Sequence, residues 1–395
     1  MFAQNIVFVA YSYYMNHDYN KESIDLHRKH HGKIELAVKV PMNDKDDLSR
    51  AYTPGIAEIS REIGKDPSLA REYTLKRNTV AIISDGSAIL GLGNLGALAA
   101  IPVMEGKAAI LKSFAGVDAF PICLDTQDAE EIIKAVKQLA PVFGAVNLED
   151  IAAPKCFEIE ERLRRELSIP VMHDDQWGTA TVVLGGLINA LMVTGREKDL
   201  NVKIVINGVG SAGVATARIL LSYGFKNILF CDSKGIIHVA RQDLNDQKKE
   251  LLTGSLLGGH EGTLADAVVD ADVFIGVSKA GVLTTEMIHT MKPDPIVFAL
   301  ANPIPEIMPE VAKEAGVAVI ATGRSDFPNQ LNNSLIFPGL FKGVLDANVK
   351  QFDITMFTRA ALALARHVKN PSREEILPNM FDKELVDVIA KTVTQ

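Results

Sequence analysis

Two acidic pairs have a placement that requires explanation. Glu149 and Asp150 occur in VNLEDI, and Asp174 and Asp175 in PVMHDDQWGTA. Acidic pairs are ordinarily solvated surface, but Asp174-Asp175 lies between a short apolar run and a long one, where an uncompensated charge is costly. Three carboxylates from two segments, completed by substrate oxygens and water, would make an octahedral oxygen site for Mg²⁺ or Mn²⁺. Lys107 in IPVMEGKAAIL and Tyr52 in LSRAYTPGIAEI sit among apolar or glycine neighbours. A desolvated lysine has a lowered pKa and can serve as a base. Taken singly, each also reads as a snorkelling lysine or a core tyrosine.

The pattern G-x-G-x-x-G occurs twice, at Gly91, Gly93, Gly96 and at Gly208, Gly210, Gly213. Context separates the copies. The second follows the apolar run VKIVIN and opens the amphipathic stretch SAGVATARILLSY, and Asp232 stands nineteen residues after Gly213. Gly208, Gly210, Ser211 and Gly213 therefore read as a dinucleotide turn, with the pyrophosphate at a helix N-terminus and the acid on the adenosine ribose. Asp232 favours NAD, since a carboxylate repels a 2′-phosphate; Lys234, two residues on, could contact one, which keeps NADP open. The first copy follows SDGSAIL, a poor strand, and reads as a glycine-rich loop beside a substrate site.

The elements that must position these groups follow from apolar periodicity. VAII (80–83), AAIL (108–111), AFPICL (119–124) and SIPVM (168–172) are strand candidates, and 129–143 has helical spacing with Asp128 as N-cap. TATVVLGGLINALMVTG (179–195) is apolar all round and reads as a buried helix. Strand candidates at 202–207, 227–232, 271–277, 295–300 and 317–322 then alternate with helical stretches, as in a doubly wound parallel sheet. Residues 358–370 read as helical. The fold class is α/β with an arm (1–32), a smaller substrate domain (33–170), a Rossmann-like cofactor domain (171–345) and C-terminal helices packed on the body (346–395).

Composition bounds the function. The 395 residues suit two domains, with 47% hydrophobic and 23% charged residues in the ordinary globular range. A formal charge of -8 argues against nucleic acid or an anionic membrane as partner. Cys123, Cys156 and Cys231 form no CxxC pair, which suits a reducing, cytoplasmic setting. No apolar run appears long enough to cross a bilayer. The start, MFAQNIVFVAYSYYM, lacks a basic region and a cleavage site, and reads as an upstream start or a segment packed on a partner subunit.

The joint pattern closely resembles the malic enzymes, particularly the short bacterial type. The resemblance runs from about Lys33 to Asp346 through AYTPGIAEIS, SDGSAILGLGNLG, PVMEGKAAILKSFAGVDAFPICLD, NLEDI, PVMHDDQWGTA, NGVGSAGVA, LANPIPE, ATGRSDFPNQ and NNSLIFPG. It implies that Glu149, Asp150 and Asp175 bind the metal and that Lys107, supported by Asp174, takes the proton from the malate hydroxyl. Tyr52 would return a proton to C3, and Asn302 and Asn333 would contact the nicotinamide end and the substrate carboxylate. The implied activity is oxidative decarboxylation of L-malate to pyruvate and CO₂ with reduction of NAD or NADP, by a homodimer or larger assembly. Two positions depart from the family. Ala88 stands where longer relatives carry a substrate-gripping arginine, and Trp177 where bacterial relatives usually carry histidine.

Three other readings compete. A malolactic enzyme would release lactate, though its known forms resemble the long type. An amino-acid dehydrogenase would not need the Glu149, Asp150 and Asp175 set. A nicotinamide-binding regulator with a dead site would not need Tyr52 and Lys107.

Overall fold

The computed structural model describes residues 18–394, so most of the expected arm, including the apolar start, lies outside the described residues. Helices α1 (Tyr19–His30), α2 (Lys45–Ala51), α3 (Ile56–Lys65) and α4 (Leu69–Tyr73) come first. α1 buries no residue, and the chain beyond it is fastened at Lys33, whose ammonium donates to the Pro102 carbonyl at 2.6 Å.

A first sheet follows. β1 (Thr79–Ser84), α5 (Ala97–Ala115), β2 (Asp118–Cys123), α6 (Ala129–Leu139), β3 (Ala145–Leu148), α7 (Lys155–Glu166) and β4 (Val171–His173) alternate, and the strands order β2-β1-β3-β4, all parallel. Every residue of β1 and β3 is buried, as parallel strands covered on both faces require. AAIL (108–111), read above as a strand, lies inside α5. A four-residue apolar run does not distinguish a strand from a buried helix face. Here the buried positions Ala100, Met104, Lys107, Ala108 and Leu111 keep helical spacing, and Gly116 closes the helix with left-handed φ.

Asp128 caps α6 as expected, accepting the amide of Glu131. β4 lies just past the division expected at residue 170 and yet pairs with β3, so the first sheet extends to His173. α8 (Asp174–Val193) follows without a break and starts five residues before the helix read at 179–195. Asp174 and Asp175 therefore stand in its first turn, where the helix dipole favours negative charge. By length and composition α8 could cross a membrane, contrary to the reading of the apolar runs. It is instead mostly buried inside the protein, as the core helix between the two halves.

The second sheet contains β5 (Ile204–Asn207), β6 (Ile228–Asp232), β7 (Gly235–Ile236), β8 (Val273–Gly276), β9 (Ile296–Ala299) and β10 (Val319–Thr322), in the order β10-β9-β8-β5-β6-β7. It is parallel except for the β6–β7 hairpin at its edge. Its helices are α9 (Ser211–Tyr223), α10 (Asp246–Gly254), α11 (Leu264–Val268), α12 (Thr285–His289) and α13 (Pro309–Glu314). Chain order reverses between β5 and β8, the switch point where open α/β sheets bind ligands. α14 (Phe337–Asp346), α15 (Ile354–His367) and α16 (Leu385–Lys391) complete the chain. α15 packs on α8, while α14 lies on α5 and β3, so it covers the first sheet. One hydrophobic core runs through both halves.

Candidate active site

The loops after β1, β3 and β4 meet at the carboxyl edge of the first sheet. β3 delivers Glu149 and Asp150, β4 delivers Asp174 and Asp175 through the start of α8, and the buried face of α5 delivers Lys107. Lys107 forms an ion pair with Asp174 and a second with Glu149 at 2.9 Å. Its ammonium also lies over the Phe337 ring, 4.3 Å from the centroid. Asp175 accepts the Asp150 amide at 2.9 Å, and Asp150 accepts the Leu90 amide at 3.3 Å. Asp150 holds a left-handed φ of 54°, which turns the chain back at the end of the strand.

Electrostatics tighten the cluster. Burial raises the Glu149 carboxyl, and the charge of Asp175 raises it further. Burial and then Asp175 push Asp150 up to about 7. Lys107 runs opposite to the expected lowering: burial pulls it down, but Asp174, Glu149 and Asp175 outweigh burial and hold it above its ordinary value. The apolar neighbours in sequence concealed the carboxylates brought in from two other loops.

Glu149, Asp150 and Asp175 offer oxygens that all lie within 4.8 Å of one another, and Asp150 Oδ2 is buried with no hydrogen-bond partner. Like charges held this close, with a lone acceptor left over, suit a hard divalent cation bound by oxygen. Asn147 donates to the second oxygen of Glu149 at 3.1 Å and so orients it.

Asn333 belongs beside this cluster. A Cβ on Gly178 would overlap Asp174 Oδ1 and come within 2.9 Å of Asn333 Cβ, so the missing side chain lets α8 carry Asp174 next to Asn333. Tyr52 has no polar contact with the cluster among the described residues. It caps α2, is 65% exposed, and its hydroxyl makes no hydrogen bond among the described residues. Ala88 sits on the loop beside the cluster, its amide donating to the Asp150 carbonyl at 3.0 Å. Trp177 points away from the carboxylates: its indole donates to Glu160 at 3.2 Å and its ring stacks on Phe357 at 4.8 Å.

Glu160 is a residue that the motifs did not reveal. It is buried on α7, and its two oxygens accept the His173 amide at 3.0 Å and the Trp177 indole, bracketing Asp174 and Asp175. Its signal was present in the sequence. It falls on the apolar stripe Cys156, Ile159, Leu163, where an acid needs partners.

The second glycine motif forms the turn between β5 and α9. A Cβ on Gly213 would overlap the Gly208 carbonyl, so the helix can approach the turn only with glycine there. Ser211 is the first residue of α9, following Gly210. Asp232 ends β6, but its carboxylate is engaged: Arg241 donates at 2.8 and 3.0 Å, Lys248 at 2.7 Å and the Lys234 amide at 3.0 Å. Burial opposes its ionisation, yet these donors hold it down at about 2. The first glycine motif leads into α5, and a Cβ on Gly91 would overlap the carbonyl of Asn302, so this loop meets the cofactor half beside a residue expected at the nicotinamide.

The chain matches known proteins along nearly its whole length. The family described as malic enzyme, N-terminal domain, matches residues 31–164, and that described as malic enzyme, NAD binding domain, matches residues 177–395. A protein of Bacillus subtilis (strain 168) named bifunctional malic/malolactic enzyme is 51% identical over 378 residues, covering 95% of this chain and 92% of its own. An NAD-dependent malic enzyme of Geobacillus stearothermophilus is 51% identical, covering 92% of this chain and 76% of its own. The crystal structure of an NAD-dependent malic enzyme from Thermotoga maritima superposes with a TM-score of 0.90 at 46% identity, covering 94% of this chain and 98% of that one.

Proposed function

Because the chain belongs to the malic enzyme family, we propose that it converts L-malate to pyruvate and CO₂ while reducing NAD, with NADP as the second cofactor to test. The observation that carries this reading is the convergence of Lys107, Asp174, Glu149, Asp150 and Asp175 in one buried cluster. Mg²⁺ or Mn²⁺ held by Glu149, Asp150 and Asp175 would lower the pKa of the substrate hydroxyl and stabilise the charge that develops as CO₂ leaves. Lys107, as the neutral amine, takes the hydroxyl proton, and Asp174 holds the ammonium that results. A cation engaging Glu149 and Asp175 would weaken their pull on Lys107 and favour the neutral amine that a base requires, against the remaining pull of Asp174. Asn333 positions a substrate carboxylate, Asn302 the nicotinamide end, and the Gly208–Gly213 turn the pyrophosphate.

Tyr52 is the proton donor to C3, and its exposure supports a site completed by a second copy of the chain. Leu36, Val38 and Leu98 are 82%, 78% and 84% exposed, an apolar population that homodimerisation or larger assembly would cover. The free cysteines support a cytoplasmic setting.

The deciding experiment follows cofactor reduction with L-malate and Mn²⁺, with NAD or NADP, with and without chelator, and identifies the product. Chelator-sensitive reduction with pyruvate formed supports the reading, and absence of turnover with either cofactor overturns it. The name of the Bacillus subtilis relative favours a second reading, release of lactate, in a protein of comparable length; the association of malolactic activity with the long type therefore carries no weight here. Lactate without net cofactor reduction would establish that alternative.

A further inference from the structure

A polar cleft of about 500 Å³ opens between α7 of the first half and α9 and α10 of the second. Arg164, Arg165, Gln176, Arg218, Gln247 and Gln351 line it, and Gln351 donates to the Arg164 carbonyl at 3.0 Å. Its unused groups are donors. Gln176 is 1% exposed, and its Nε2 has no partner; the Nε of Arg218 is likewise buried and unpartnered, although the guanidinium reaches Glu250 at 2.5 Å. Arg164 gives one hydrogen bond to the Phe352 carbonyl, and Arg165 is exposed with no ion pair among the described residues. Two carboxylates also line the cleft. Glu160 is buried, both its oxygens accept hydrogen bonds from His173 and Trp177, and its carboxyl also feels the charges of Arg164 and Arg218; Glu161 is exposed.

Buried donors without acceptors cost free energy unless a ligand or water satisfies them. Guanidinium forks match carboxylate or phosphate oxygens. The cleft is separate from the dinucleotide turn: Arg218 lies seven residues past Ser211, about 10 Å along the helix. Gln176 and Trp177, which line the cleft, follow Asp174 and Asp175 directly on α8.

We propose that this cleft binds a small multivalent anion, a polycarboxylate or a phosphate-bearing metabolite, gripped by Arg165 and Arg218 with the Gln176 amide at its base. The bound anion ties the substrate half to the cofactor half, next to the residues that bracket the catalytic carboxylates.

The test is calorimetric titration of the NADH-saturated, metal-free protein with tricarballylate and, separately, inorganic pyrophosphate. NADH fills the dinucleotide site, so heat reports binding elsewhere. Saturable binding is expected for at least one probe, weakened about tenfold or more in Arg165→Ser and in Arg218→Gln. Arg165 is exposed, so its variant keeps the fold, which an unchanged melting temperature verifies. Preference for tricarballylate assigns the site to carboxylates, and preference for pyrophosphate assigns it to phosphates. Failure of both probes to bind, or binding unaltered by either arginine substitution, overturns the proposal.

Discussion

Lys107 reaches Asp174 from a different helix, and the two side chains form an ion pair at 10% and 0% exposure. Glu149 shares the same ammonium at 2.9 Å. Replacing Lys107 with Met leaves these carboxylates buried without their cation. Breaking such a pair costs about 3–5 kcal/mol of stability, and losing a positioned acid–base group lowers kcat by roughly 10²–10⁴. Lys107→Met should therefore melt earlier in chelator and turn malate over at least about a hundredfold more slowly. A kcat within a few-fold of wild type would remove Lys107 from the proton-transfer role.

Asp175 joins both parts of the cluster, since it accepts the Asp150 amide and lies within ligand distance of Glu149 and Asp150. A cation that binds only the folded state stabilises it by about 2.7 kcal/mol at a hundred times its Kd. Mn²⁺ should thus raise the melting temperature of the wild type, and Asp175→Asn should need at least about tenfold more metal for the same rise. Equal metal response in the variant would exclude Asp175 as a ligand, whatever happens to activity.

The readable part of this protein was what local pattern dictates. VKIVIN leading into Gly208 announced a strand and turn, and the acidic pairs announced a cluster, because each is a short-range signal. AAIL failed as a strand because four apolar residues carry no period, and the helix through Met104, Lys107 and Leu111 shows only over a longer window. Long-range relationships were hidden for a different reason. The sign of the Lys107 shift depends on Asp174, 67 residues away, and the occupation of Asp232 depends on Arg241 and Lys248, which nothing in the dinucleotide motif includes. The exposure of Tyr52 is likewise a property of how the chain folds, not of its neighbours in sequence.

Asp232 cannot be read simply as a free acceptor for ribose hydroxyls, since Arg241 and Lys248 already occupy its oxygens. If it selects NAD, Asp232 would act against a 2′-phosphate in two ways, by its own charge and by engaging Arg241 and Lys248. Asp232→Ser should free Lys248 and leave Arg241 held by Asp243 alone, and so raise the ratio of kcat/KM for NADP over NAD by about tenfold or more, equivalent to about 1.4 kcal/mol. An unchanged ratio would mean that cofactor choice is made elsewhere.

Glu160 makes the fold sensitive to pH. Burial raises its carboxyl from 4.5 to about 7, against the opposing hydrogen bond from His173. Between those values the folded protein binds a proton that the unfolded chain has released, so the unfolded state carries fewer protons and stability falls as pH rises. The protonated residue contributes fully below the unfolded value, and its contribution is lost through about pH 7. The total is on the order of 3 kcal/mol. Glu160→Gln abolishes the titration, so its melting temperature should decline less than that of the wild type between pH 5 and about 8. Trp177, the one tryptophan of the chain, donates to Glu160 and gives an independent readout. Its fluorescence should titrate near pH 7 in the wild type and stay flat through that range in Glu160→Gln. Parallel melting curves for the two proteins, with identical fluorescence titrations, would show that Glu160 stays ionised in the fold and that its two hydrogen bonds outweigh its burial.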